Sequence, residues 1–113
     1  MGLDLPSSRL SFTKRFKFLF GSLGPFWYRG YHYEMANRYP QATMEEIDEI
    51  LAFYSAQTIV VGHTEQDSLG AIFNNKIFPI DVPVDELNGF QALLWQQDVF
   101  YRVNSDGSFQ RLD

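Results

Sequence analysis

The chain has 113 residues, no cysteine, five prolines, eight glycines and a net charge of −5. That length suits one small domain and leaves no room for two independent cores, while the missing cysteine excludes disulfides and thiolate metal sites. Apolar residues reach 45% and charged residues 20%, a globular balance, and no run of eighteen apolar residues suits a membrane span.

Residues 1–23 read as a leader and a basic amphipathic helix. Gly2, Pro6, Ser7 and Ser8 loosen the start, and residues 9–20 suit a helix with Gly21 as its C-cap. Arg9, Lys14, Arg15, Lys17 and Arg29 face a single acid, Asp4, in the first thirty residues. Phe12, Phe16, Phe18, Leu19 and Phe20 interleave with these bases. Two readings stay open: the apolar side packs on the domain, or residues 9–20 touch an anionic surface. The acidic body disfavours nucleic acid.

Residues 24–113 form the rest. Gly24 and Pro25 oppose regular structure, and an aromatic block runs from Phe26 to Tyr33. Within it Arg29 either stacks on its aromatic neighbours or grips a phosphate with two parallel hydrogen bonds. Thr43 to Ala56 is the clearest helix: Thr43 and Glu46 make a capping box, and Met44, Ile47, Leu51 and Tyr54 share one face. Its acids Glu45, Glu46, Asp48 and Glu49 suit the positive end of the helix dipole.

The β-branched run Thr58 to Val61 predicts a strand buried on both faces, ending at Gly62-His63-Thr64. Gly62 would allow a sharp turn, and His63 falls where α/β sheets gather ligands. Neutral imidazole also suits a metal. Asn74-Asn75 predicts one hairpin, Gln96-Gln97-Asp98 a second, and Asp106-Gly107 a turn into Ser108–Arg111. The class is α/β: N-terminal helices, a buried strand after a helix, then an antiparallel meander.

Taken in order, G-P-F-W-Y-R-G (24–30), I-L-A-F-Y-S-A, T-I-V-V-G-H-T (58–64), I-F-P-I-D-V (77–82), A-L-L-W and F-Y-R-V resemble the C-terminal part of the calcineurin-like metallophosphoesterases. The bacterial phosphatases related to the serine/threonine phosphoprotein phosphatases are the nearest pattern. The resemblance implies a partial metallophosphoesterase fold and ancestry in phosphate monoester hydrolysis. Arg29 would orient the substrate phosphate. His63 would be a single ligand of an incomplete site for two divalent ions, Mn, Fe or Zn.

The family's D-x-H, G-D-x-x-D and G-N-H-E or G-N-H-D motifs do not occur. The resemblance therefore implies a chain that is inactive alone and holds no metal stably. It would be a piece of a split or truncated enzyme, a non-catalytic relic acting as a binding or oligomerisation module, or an inherited scaffold. Apolar strands stripped of cover cost about 25 cal/mol for each Å² left wet, which favours a homodimer or a complementary N-terminal phosphoesterase half. The lack of targeting signals suggests the cytoplasm.

Overall fold

A computed structural model describes residues 12–86 and 89–112. Among them are two helices and two sheets, a mixed α/β arrangement. The chain divides into two compact units, Met1–Tyr54 and Ser55–Asp113.

The first unit holds α1 (Phe12–Phe20) and α2 (Met44–Phe53). Helix α1 buries none of its side chains, so the expected packing of its apolar side is not seen. Its phenylalanines contact one another instead. Phe12 and Phe16 lie 6.3 Å apart, Phe16 and Phe20 4.8 Å, the four-residue spacing that brings helical side chains together. Residues 9–11 of the expected helix lie outside the described residues. Gly21 is not a left-handed cap; rather, a Cβ there would stand 2.5 Å from the Lys17 carbonyl oxygen. Gly24 is buried against the carbonyls of Phe18 and Leu19, too close for any side chain.

Helix α2 starts as its sequence dictates. Thr43 Oγ1 accepts from the Glu46 N–H at 3.2 Å, and Glu46 Oε2 accepts from the Thr43 N–H at 2.9 Å. The helix stops at Phe53, before Ala56, because Tyr54 caps it and Ser55 turns left-handed at φ 52°. Only Ile47 and Leu51 are buried; Ile50 and Tyr54 are exposed, so the buried stripe is narrower than the periodicity implied.

In the second unit β1 (Ile59–Val61) pairs in parallel with β2 (Ile77–Pro79), Val60 opposite Phe78. The Ile59 N–H donates to the Lys76 carbonyl and the Ile80 N–H to the Val61 carbonyl, both at 2.8 Å. This corrects the expectation for β1: Val60 is 48% exposed, and β2 is the strand buried along its whole length. The expected hairpin about Asn74-Asn75 survives only as a single antiparallel bridge, Ile72 to Ile77. Phe73, Asn74 and Asn75 are all left-handed there, and the chain leaves that bridge to join β1.

The meander forms from β3 (Gln91–Gln96), β4 (Val99–Asn104) and β5 (Phe109–Arg111), ordered β3-β4-β5. Gln97 and Asp98 are both left-handed, at φ 51° and 62°, as a two-residue hairpin turn that follows the strand twist requires. Gly107 at φ 86° closes the second turn. Asp106 accepts there from the Ser108 hydroxyl (2.6 Å) and N–H (2.8 Å), the first being the main reason its carboxyl titrates below the usual range. Phe78 and Phe100 stack at 4.3 Å, and with Leu69 and Ile77 they form the core of this unit. Arg102 ties the connection to the sheet: it donates to Ser68 Oγ, the Leu69 carbonyl and Gln110 Oε1, although its Nε is buried without a partner.

Candidate functional site

Arg29 sits in the first unit, in the loop between α1 and α2. Backbone hydrogen bonds hold that loop. The Gly24 carbonyl accepts from Trp27 and Tyr28, the Arg29 carbonyl from His32 and Tyr33, and the Gly30 carbonyl from Ala42 at 2.7 Å. The Arg29 N–H donates to Tyr39 Oη at 3.2 Å, and Tyr39 is buried. Tyr28 packs on Tyr39 and Tyr31 with ring centroids 5.0 and 5.1 Å away. Burial is the largest reason that the Tyr28 and Tyr31 hydroxyls titrate above their usual range, so both stay protonated donors.

The guanidinium of Arg29 lies 5.6 Å from the centroid of the Trp27 ring. The cation–π reading of the sequence is thus realised, and the contact steadies the side chain. A cavity of about 270 Å³ opens beside it, lined by Phe20, Ser22, Trp27, Arg29, Met35 and Arg38. Arg38 was not singled out by the sequence. It reaches the cavity because Met35 and Tyr39 form an antiparallel bridge with Asn37 left-handed at φ 64°. The one sequence cue was Asn37, a residue that tolerates such a turn.

A larger cavity, about 580 Å³, lies in the same unit and is lined by Tyr28, Tyr31, Ile50 and Phe53 together with Glu46 and Glu49. Two carboxylates oppose an anionic ligand there, whereas two guanidiniums favour one in the smaller cavity. His32 belongs to the same loop, and burial holds its imidazole below the ordinary pKa.

His63 belongs to the second unit. It follows β1 in an exposed turn and is itself left-handed at φ 71°. Gly62, expected to make that turn, has open space around it and no positive φ. Arg29 and His63 therefore stand in separate units. Among the described residues no group of three or more His, Cys, Asp or Glu side chains is placed to hold a metal ion. The donor set does not fit the expected metal pair, which needs several ligands fixed together.

No protein-family model matches the chain, and no curated protein does. Solved structures do. The crystal structure of the cold-active protein-tyrosine phosphatase of a psychrophile, Shewanella sp., is 34% identical with a TM-score of 0.73, over 86% of this chain and 28% of that one. A second structure of a cold-active protein tyrosine phosphatase gives 33% and 0.74, over 88% of this chain and 30% of that one. A point mutant of such an enzyme gives 32% and 0.72, over 89% and 30%.

The chain is similar to protein-tyrosine phosphatases. It spans less than a third of their length. These matches correct the family resemblance drawn from the motifs. The calcineurin-like metallophosphoesterase assignment is withdrawn, with the partial fold and C-terminal placement that depended on it. The metal-dependent hydrolase, the alternative of a relic binding or oligomerisation module, and the Mn, Fe or Zn pair go with it. His63, expected as a single ligand of an incomplete site, has no group of three or more His, Cys, Asp or Glu about it among the described residues. Likeness to a phosphatase remains. No helix among the described residues is long and apolar enough to cross a membrane.

Proposed function

We propose that this chain is the phosphate-gripping part of a phosphatase that acts on phosphorylated protein, with tyrosine phosphate as its substrate by likeness to the solved enzymes. Arg29 binds the substrate phosphate. The observation that carries this reading is the Arg29 guanidinium, held against Trp27 at the edge of a cavity, with its backbone tied to the buried Tyr39.

The chemistry follows from the charges. A phosphate monoester carries up to two negative charges, and a planar guanidinium offers two parallel N–H donors that match two of its oxygens. A pre-set side chain loses less entropy on binding than a free one, and the Trp27 contact supplies that setting. The chain has no cysteine and so offers no thiolate nucleophile of its own. The groups that break the phosphorus–oxygen bond belong, in this reading, to sequence or a partner beyond these residues.

Inorganic phosphate titrated into the chain by calorimetry tests the grip. Arg29→Ala should weaken binding about tenfold or more, the worth of hydrogen bonds to a charged group. Arg29→Lys should recover only part, since an ammonium cannot make the paired contact. Unchanged affinity in Arg29→Ala would overturn the proposal.

A further inference from the structure

We infer that helix α1 docks on an anionic lipid surface, lying along it with a ridge of phenylalanines in the outer apolar layer and its bases against the lipid phosphates. The inference is independent of the phosphate-gripping role of Arg29.

The ridge follows from the helix period. Successive residues turn by about 100°, so Phe12, Phe16, Leu19 and Phe20 fall within an arc of about 100°. All four are exposed, and Phe18 is the one phenylalanine of α1 outside the arc. The rings continue past the helix end: Phe12 neighbours Phe16, Phe16 neighbours Phe20, and Phe20 stacks on Phe26 at 5.2 Å. Leu23 and Phe26 are exposed as well. Single apolar side chains are ordinary on a protein surface, but a continuous row of this kind marks a docking surface. Among the described residues nothing covers it, since α1 buries no side chain.

Charge decides what the row docks on. Helix α1 carries Lys14, Arg15 and Lys17 and no acid, in a chain of net charge −5. By the same period Arg15 borders the ridge on the Leu19 side and Lys17 on the Phe20 side. Their stems lie along the apolar border while the charged heads reach the level of lipid phosphates. A second copy of α1 laid on the ridge would instead set bases against bases. Salt confines repulsion between the lipid and the acidic remainder of the chain to about 10 Å, so the bases in contact are felt most. That makes α1 the side that approaches. With nine residues the helix is about 14 Å long, under half of the roughly 30 Å hydrocarbon core, so it lies on a bilayer and does not cross it.

The test is co-sedimentation of the full chain with phosphatidylcholine vesicles, pure or containing about one third phosphatidylserine. The mixed vesicles should bind the chain about tenfold more tightly than the pure ones. Raising the salt from about 0.05 M to about 0.5 M should remove most of that advantage. Arg15→Gln combined with Lys17→Gln should weaken binding to mixed vesicles at least about tenfold, at roughly fivefold for each base. Phe12→Ala combined with Phe16→Ala should weaken it about as much, by removing the inserted rings. All of these side chains are exposed, so the fold is spared, and each variant should bind inorganic phosphate like the parent. Binding to neither kind of vesicle, equal binding to both, or a double-base variant that binds as well as the parent overturns the inference. A dimer seen by light scattering in a chain that binds no vesicle assigns the ridge to a second copy and overturns it too. A chain that binds mixed vesicles but no inorganic phosphate keeps this inference and ends the phosphate-gripping reading.

Discussion

Helix α1 and strand β2 are both short and both carry phenylalanine, four in α1 and one in β2, yet every side chain of α1 is exposed and every residue of β2 is buried. Phe12 is 82% exposed and Phe78 wholly buried. Three bases, Lys14, Arg15 and Lys17, hold α1 at the solvated surface, whereas β2 carries no charge and is closed in by pairing. Parallel partner β1, the Ile72 bridge and the Phe100 ring all close on β2. The backbone hydrogen bonds of α1 are satisfied within the helix, so nothing in its own backbone demands a neighbour. Phe12, Phe16 and Phe20 make ring contacts with one another in sequence, and Phe20 with Phe26. The sheet unit thus draws stability from register, and the arginine-bearing unit relies on ring contacts and loop hydrogen bonds. A binding loop belongs in the second kind of region, where side chains are steadied and still reachable.

The contrast breaks most visibly by deleting one ring on each side. Phe78→Ala should cost about 3–5 kcal/mol, by loss of transfer energy and the cavity left against Phe100. Phe12→Ala should stay within about 0.5 kcal/mol, as surface changes do. Urea midpoints for the two variants and the parent measure both. A costly Phe12→Ala, or a silent Phe78→Ala, would reverse the assignment of which phenylalanines hold the protein.

A smaller effect sharpens the same comparison on the helical side. Thr43→Ala removes the acceptor for the Glu46 N–H and disables the capping box. The expected cost is about 1 kcal/mol, read from the same urea midpoint. Serine at this position should keep most of the stability, because its hydroxyl caps equally well. If Thr43→Ala costs nothing, the start of α2 is held by packing of Ile47 and Leu51 and not by its cap.

How far each feature was legible depends on how local its cause is. Thr43 and Glu46 stand three residues apart, and the cap they form needs nothing else. The turns at Gln97-Asp98 and Asp106-Gly107 are likewise set by neighbouring residues. The partner of β1 is not local: Ile59–Val61 meets Ile77–Pro79 only after residues 62–76 have crossed between them. Apolar content around Asn74-Asn75 therefore favoured a hairpin over the parallel pairing that occurs. At the candidate site, Arg29 was visible as a cation among aromatics. Arg38 was not, since its place depends on the Met35–Tyr39 bridge, and an exposed arginine after an asparagine looks like any solvated turn. His63 was visible for a local reason: it ends a β-branched run at Gly62-His63-Thr64, and its position after β1 follows from those neighbouring residues.

The smallest expected effect lies in the same loop as Arg29 and comes from protons. Burial lowers the pKa of His32 below its ordinary value near 6.5, so the folded chain prefers the neutral ring. Unfolding releases the ring to water, where it takes a proton more readily. Between the depressed folded value and about 6.5, the unfolded chain binds more protons, and stability rises with pH across that window. Acidification from about pH 7.5 to about pH 5 should therefore shift the parent's urea midpoint down by a small amount, beyond the shift of a His32→Gln variant. The ring is well over a third exposed, which keeps the effect small. Equal shifts in parent and variant would show that His32 is as solvated folded as unfolded, and that the loop around Arg29 is looser than its hydrogen bonds to the Arg29 and Gly30 carbonyls imply.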